Sequence, residues 1–139
     1  MVLKRLDKFE EMEHTADRAI RAYGRTLEEL FANAAFGMFS LMVDLEELVP
    51  TLSRKLRVEA FDLESLLVNW LNELLYLQEM EGEIYSEFHI IFLSHAELEA
   101  TISGAKARPR KAKVKAATFY DLAIEKTPEG YVATVVFDV

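Results

Sequence analysis

The residues best suited to chemistry sit near the two ends of a 139-residue chain. Glu13-His14-Thr15-Ala16-Asp17 gathers two acids, a histidine and a threonine into five positions. Its composition makes it a turn between strand-like runs at 8–13 and 18–23. Phe137-Asp138-Val139 adds another aspartate and, at the last residue, a free carboxylate. If the fold joins these two places, carboxylate and backbone oxygens form a cluster suited to a hard cation, calcium above all when few nitrogens take part. On spacing alone the plainer reading is stronger: Asp17 as a turn former and Asp138 as a solvated terminus. Lys115 is a third candidate, placed to neutralise a phosphate or an acidic partner; taken alone, an exposed strand lysine is the better reading.

Other chemistries are excluded by what the sequence lacks. No Gly-x-x-x-x-Gly-Lys-Ser/Thr or Gly-x-Gly-x-x-Gly segment occurs, so direct nucleotide hydrolysis on a phosphate-cradling loop is not expected. There is no Gly-x-Ser-x-Gly elbow and no His-Glu-x-x-His pair. The absence of cysteine removes disulfides, thiolate metal sites and a cysteine nucleophile, and fits a cytoplasmic protein. Of the three histidines, His89 lies in an apolar run and His95 at its end, and both read as structural. His14, beside the acids, is the candidate for a supporting role at the metal cluster.

The net charge of −8 argues against unspecific coating of nucleic acid. That charge is uneven. Six of the sixteen basic residues fall within 106–115, where there is no acid. The remainder carries ten positive against 24 negative charges, a balance of −14. The strip reads as an oriented docking surface or, with about equal force, as a solvated loop that keeps its lysines in water. No window is long and apolar enough to span a bilayer, and no signal peptide is apparent.

These residues need elements to position them. Strands are expected at 8–13 and 18–23. A helix follows, opened by the Thr26/Glu29 capping box. Its apolar stripe is Leu27, Leu30, Phe31, Ala34, Ala35, Met38, Phe39 and Met42, with Phe36 and Leu41 off the stripe, which predicts burial on more than one side. Residues 44–50 form a linker, and 52–60 alternate as a half-exposed strand. Asp62 caps a second helix that stops at Gly82. The continuous apolar run from His89 to Leu93 predicts a central strand, and 98–103 an alternating one. A loop covers 104–110. Strand candidates follow at 113–120, at 121–126 and, after a turn at Pro128-Glu129-Gly130, at 131–139. Strand runs around two helices, without regular βα alternation, imply an α+β fold: a mainly antiparallel β-sheet with two main helices packed on one face.

Taken together, these segments resemble the archease family, small proteins that assist the GTP-dependent tRNA-splicing RNA ligase. The resemblance rests on Phe9-Glu10-Glu11-Met12-Glu13-His14-Thr15-Ala16-Asp17, Thr26-Leu27-Glu28-Glu29-Leu30-Phe31, Leu67-Val68-Asn69-Trp70-Leu71-Asn72-Glu73-Leu74-Leu75, Lys115-Ala116-Ala117-Thr118 and Val136-Phe137-Asp138-Val139. It covers essentially the whole chain as one archease-like domain, 1–139. The His-Thr-Ala-Asp segment combined with the terminal Phe-Asp-Val is its specific part. One departure stands out: Phe119-Tyr120-Asp121 sits where the family pattern has a tyrosine and then a histidine before the aspartate, which leaves no histidine role at Tyr120.

The resemblance implies a non-catalytic activator that promotes guanylylation and multiple turnover of the ligase and broadens the nucleotides it accepts. It implies metal binding, with calcium held by Asp17, Asp138 and the main-chain oxygen of Val139, and ligase activation through Asp17 and Lys115. RNA would be met only indirectly, through the ligase. Two alternatives stand beside it: a general chaperone-like protein-binding module, and a small metal-dependent phosphohydrolase with His14 as general base.

Overall fold

The computed structural model describes residues 7–12 and 17–139. Along the chain run β1 (Phe9–Met12), β2 (Arg18–Gly24), α1 (Leu27–Ser40), β3 (Leu52–Glu59), α2 (Leu63–Glu81), β4 (Glu83–Leu93), β5 (Glu97–Lys106), β6 (Ala116–Ala117), β7 (Ile124–Thr127) and β8 (Gly130–Asp138). A single 3-10 turn, Leu45–Glu47, interrupts the linker after α1.

The helix boundaries follow from side chains. The Thr26 hydroxyl accepts from the Glu29 N–H at 3.1 Å, and the Glu29 carboxylate reaches back past Thr26 to the Arg25 N–H at 3.3 Å. Asp62 accepts from the Ser65 N–H at 2.8 Å, and this hydrogen bond holds its carboxyl below the usual range. Gly82 ends α2 with a left-handed φ of 65°, a conformation cheap only for glycine.

Every strand pairing is antiparallel, and the strands divide into two sheets. The first has the order β1-β2-β8-β6, with β7 also on β8; the second has the order β3-β5-β4. Both helices touch both sheets: α1 packs on β2, β1, β8 and β4, and α2 on β3, β4, β5 and β6. The shared core is tied across these layers. Trp70 of α2 donates its indole N–H to the Phe31 carbonyl of α1 at 2.9 Å. Phe39 stacks on Phe88 and meets Tyr85 edge-on, and Trp70 also meets Phe88 edge-on. As its off-stripe residues predicted, α1 is buried on more than one side, with Leu41 covered and Phe36 half-covered.

Three expectations change. The apolar run ending in Leu93 belongs to β4, which lies at the edge of its sheet; the centre is the alternating β5. Two register shifts explain how an edge strand carries so many apolar residues. Ser86 and Ile91 are extra residues opposite β5, and Ile91 and Phe92 are left largely exposed. The predicted strand at 113–120 shrinks to Ala116–Ala117, and that at 121–126 to Ile124–Thr127. Between them Asp121 adopts a φ of 52°, which breaks the strand. Finally, β5 runs through the first residues of the predicted loop, to Lys106.

Candidate functional site

The register of β2 on β8 decides where the predicted site residues meet. Arg18 pairs with Phe137 and Ala19 with Val136. Continued by one residue, that register sets Asp17 opposite Asp138. On the other side of β8, Ala116 pairs with Asp138, and the Lys115 N–H donates to the Asp138 carbonyl at 2.8 Å. Asp17, Asp138, Val139 and Lys115 therefore share one end of the five-stranded sheet. Asp17 is half-buried; Asp138, Val139 and Lys115 are exposed. His14 lies outside the described residues.

A residue that sequence reasoning quoted but gave no role fixes this tip. Asn72 of α2 donates its side-chain amide to the Ala117 carbonyl at 3.2 Å and accepts the Ala117 N–H at 2.7 Å. Its amide thus takes the place of a neighbouring strand for the two-residue β6. Thr118 adds two bonds to the Val136 carbonyl, through its N–H at 3.0 Å and its hydroxyl at 2.8 Å. The segment that carries Lys115 is held against β8 at several points.

A cation at this tip would meet the carboxylates of Asp17 and Asp138 and nearby main-chain oxygens. That donor chemistry suits a hard cation. It falls short of a full shell, because among the described residues no group of three or more His, Asp or Glu side chains is placed to hold a metal. Calcium takes about six to eight oxygens, so water or a partner would supply the rest. Two surface hollows lie away from the tip. One of about 1050 Å³ lies beside Arg21, Arg25 and Glu129. The other, about 740 Å³, lies between the end of α2 and residues 107–113. At the tip, Asp138, Val139 and Lys115 are open to solvent. His89 and His95 are both exposed and stand on the other sheet or its turn.

The model of the archease protein family matches residues 9–139. The chain belongs to the archease family. The archease of Methanosarcina mazei is 40% identical over 140 residues, covering 95% of this chain and 96% of that protein. The archease of Sulfurisphaera tokodaii is 38% identical, covering 96% and 100%. Among solved structures, Protein 1598 of Methanobacterium thermoautotrophicum, determined in solution, superposes with a TM-score of 0.82 at 31% identity, covering 96% of this chain and all of that one. A crystal structure of an archease from Thermotoga maritima, described as a possible chaperone, shares the fold with a TM-score of 0.64 at 24% identity. The α+β architecture, two helices with eight antiparallel strands, is the archease fold. No described helix is long and apolar enough to cross a membrane.

Proposed function

We propose that this archease-family protein is a non-catalytic, cytoplasmic activator of the GTP-dependent tRNA-splicing RNA ligase, promoting guanylylation and repeated turnover of that enzyme. The observation that carries the reading is the shared end of the five-stranded sheet, where Asp17, Asp138 and Lys115 gather on an exposed tip. An activator acts only by binding one conformation of its target more tightly than another. A rigid tip that offers carboxylates and a lysine side by side is suited to bracing a nucleotide-binding centre. A calcium ion held by Asp17, Asp138 and the Val139 carbonyl would neutralise the paired carboxylates and leave Lys115 as the charged side chain beside them. The test is guanylylation of the ligase from the same source with wild type and Asp17→Ala. Stimulation by wild type alone supports the reading; equal stimulation by a folded Asp17→Ala removes the tip from it.

A second reading has its own observation. Phe61 is 98% exposed, and Val49, Ile91, Phe92 and Phe119 are also largely bare. Such surface suits transient binding of unfolded clients. It predicts suppression of aggregation of an unrelated enzyme, equal for wild type and Asp17→Ala.

A further inference from the structure

The basic strip is a built surface rather than a loose loop. Ala107 N–H donates to the Gly82 carbonyl at 3.0 Å, and the Arg110 and Lys111 N–H groups both donate to the Met42 carbonyl at 2.8 Å. Ala107, Pro109 and Ala112 are half-covered and Val114 is buried, so Arg108, Arg110, Lys113 and Lys115 are turned outward. Lys106 and Lys111 have partners: Lys106 meets Glu83 and the Glu81 carbonyl, and Lys111 meets Asp44. Arg108, Arg110 and Lys113 pair with no carboxylate among the described residues.

This wall faces the end of α2 across the hollow of about 740 Å³, which Met80 also lines. Met80 is 63% exposed and Tyr76 is 57% exposed. Both continue, at four-residue steps, the helix line of Asn72, which grips Ala117. The line of Tyr76 and Met80 therefore runs along the strip. The result is a groove whose helix side sets Met80 among Gln78, Glu79 and Glu81 and whose other side carries Arg108, Arg110 and Lys113. Its acids are largely spoken for: Glu81 meets Arg54 and Asp44 meets Lys111, which sets Glu79 alone against Arg108, Arg110 and Lys113 in the hollow, while Asp138 stands beside Lys115 at the far end of the strip. A long polyanion following the strip towards Lys115 meets Asp138, whereas a short acidic segment ends before it.

We propose that this groove docks an acidic, amphipathic segment of the partner protein, its apolar face on Tyr76 and Met80 and its carboxylates on Arg108, Arg110 and Lys113. Methionine and an exposed aromatic beside cations suit such a segment. The inference rests on the ligase reading above and names the chemistry of the ligase surface that must meet this protein. The groove sets where the partner sits, and the tip acts on it.

The test measures the Kd of the ligase for wild type, for Arg108→Glu/Arg110→Glu and for Met80→Ser, each checked for unchanged thermal unfolding. The double variant is expected to bind about tenfold more weakly and Met80→Ser about threefold. Raising salt should weaken wild type more than the double variant. At saturating concentration the double variant should still stimulate guanylylation fully. Unchanged affinity in both variants overturns the groove while leaving the ligase reading intact; failure of wild type to bind the ligase removes both. A 12-nucleotide oligouridylate bound by wild type and lost in the double variant, with ligase affinity unchanged, assigns the strip to RNA and overturns the proposal.

Discussion

Two clusters in this protein set carboxylates beside cations, and they differ in what is left over. In the three-stranded sheet, Glu83 is 1% exposed. Its oxygens meet the Arg54 Nε at 2.7 Å and Nη2 at 2.9 Å, the Tyr85 hydroxyl at 2.7 Å and the Lys106 ammonium at 3.5 Å. The bidentate Arg54 hydrogen bond, helped by the Tyr85 O–H, holds the Glu83 carboxyl down at about 2. Burial and the same carboxylate push the Tyr85 hydroxyl above its ordinary range, and the Glu83 hydrogen bond raises Arg54 further. Every acceptor there is used within the chain. At the end of the five-stranded sheet, Asp138 and Lys115 are exposed and their backbones, not their side chains, make the local bonds. Satisfied charge fastens strands together; exposed charge on a fixed backbone is available to something else.

The largest expected effect breaks the satisfied cluster. Glu83→Gln should lower stability by about 2 kcal/mol, less than a fully buried pair because Arg54 keeps some solvent. Urea unfolding measures it, and ligase stimulation by the folded fraction should not change. The pH dependence has a definite sign. With its folded pKa depressed, Glu83 contributes its full stability above the ordinary carboxyl value of 4.5 and loses it as pH falls towards 2. Melting temperature followed through that window should drop more steeply in wild type than in Glu83→Gln.

Asn72→Ala tests whether the tip depends on its anchor. Both polar groups of Ala117 lose their side-chain partner, at about 1–2 kcal/mol, and stimulation should fall as well because Lys115 loses its fixed place. A stability loss with full stimulation would separate the clamp from function. Asp138→Asn should barely move melting without metal; wild type is expected to gain melting temperature on adding calcium, and Asp138→Asn to show no such gain. The stabilisation expected behind that gain grows with the ratio of calcium to its Kd, to about 2.7 kcal/mol at a hundredfold excess. Lys115→Ala should be the mildest of all on stability, within about 0.5 kcal/mol, while sharply reducing guanylylation. If stimulation survives Lys115→Ala, the contrast between the two clusters is weaker than the geometry suggests.

Local features of this fold were legible in the sequence because they have local causes. The capping box at Thr26, the Gly82 stop and the alternation of β8 each depend on a few neighbouring residues. The edge position of β4 was not legible, since the two extra residues that let its apolar side chains share the strand appear only once β5 is alongside. The Arg54–Glu83–Tyr85 cluster gave one faint signal, an acid opening an apolar strand, and its arginine comes from a strand far away in sequence. The meeting of Asp17 with Asp138 had no signal in spacing at all. Strand register creates it, and only the family resemblance pointed there beforehand.

That register also has a consequence in time. The strand formed last in chain order, β8, lies inside the five-stranded sheet, between β2 on one side and β6 and β7 on the other. Both helices and the whole three-stranded sheet, ending at Lys106, can assemble from residues already synthesised. The hairpin of β1 and β2 meanwhile waits with one edge open, a surface prone to wrong pairing. Closure across nearly the full chain length is the slow kind of contact. Until β8 has paired with β2, Asp138 cannot stand beside Asp17, so the juxtaposition exists only once the five-stranded sheet has closed.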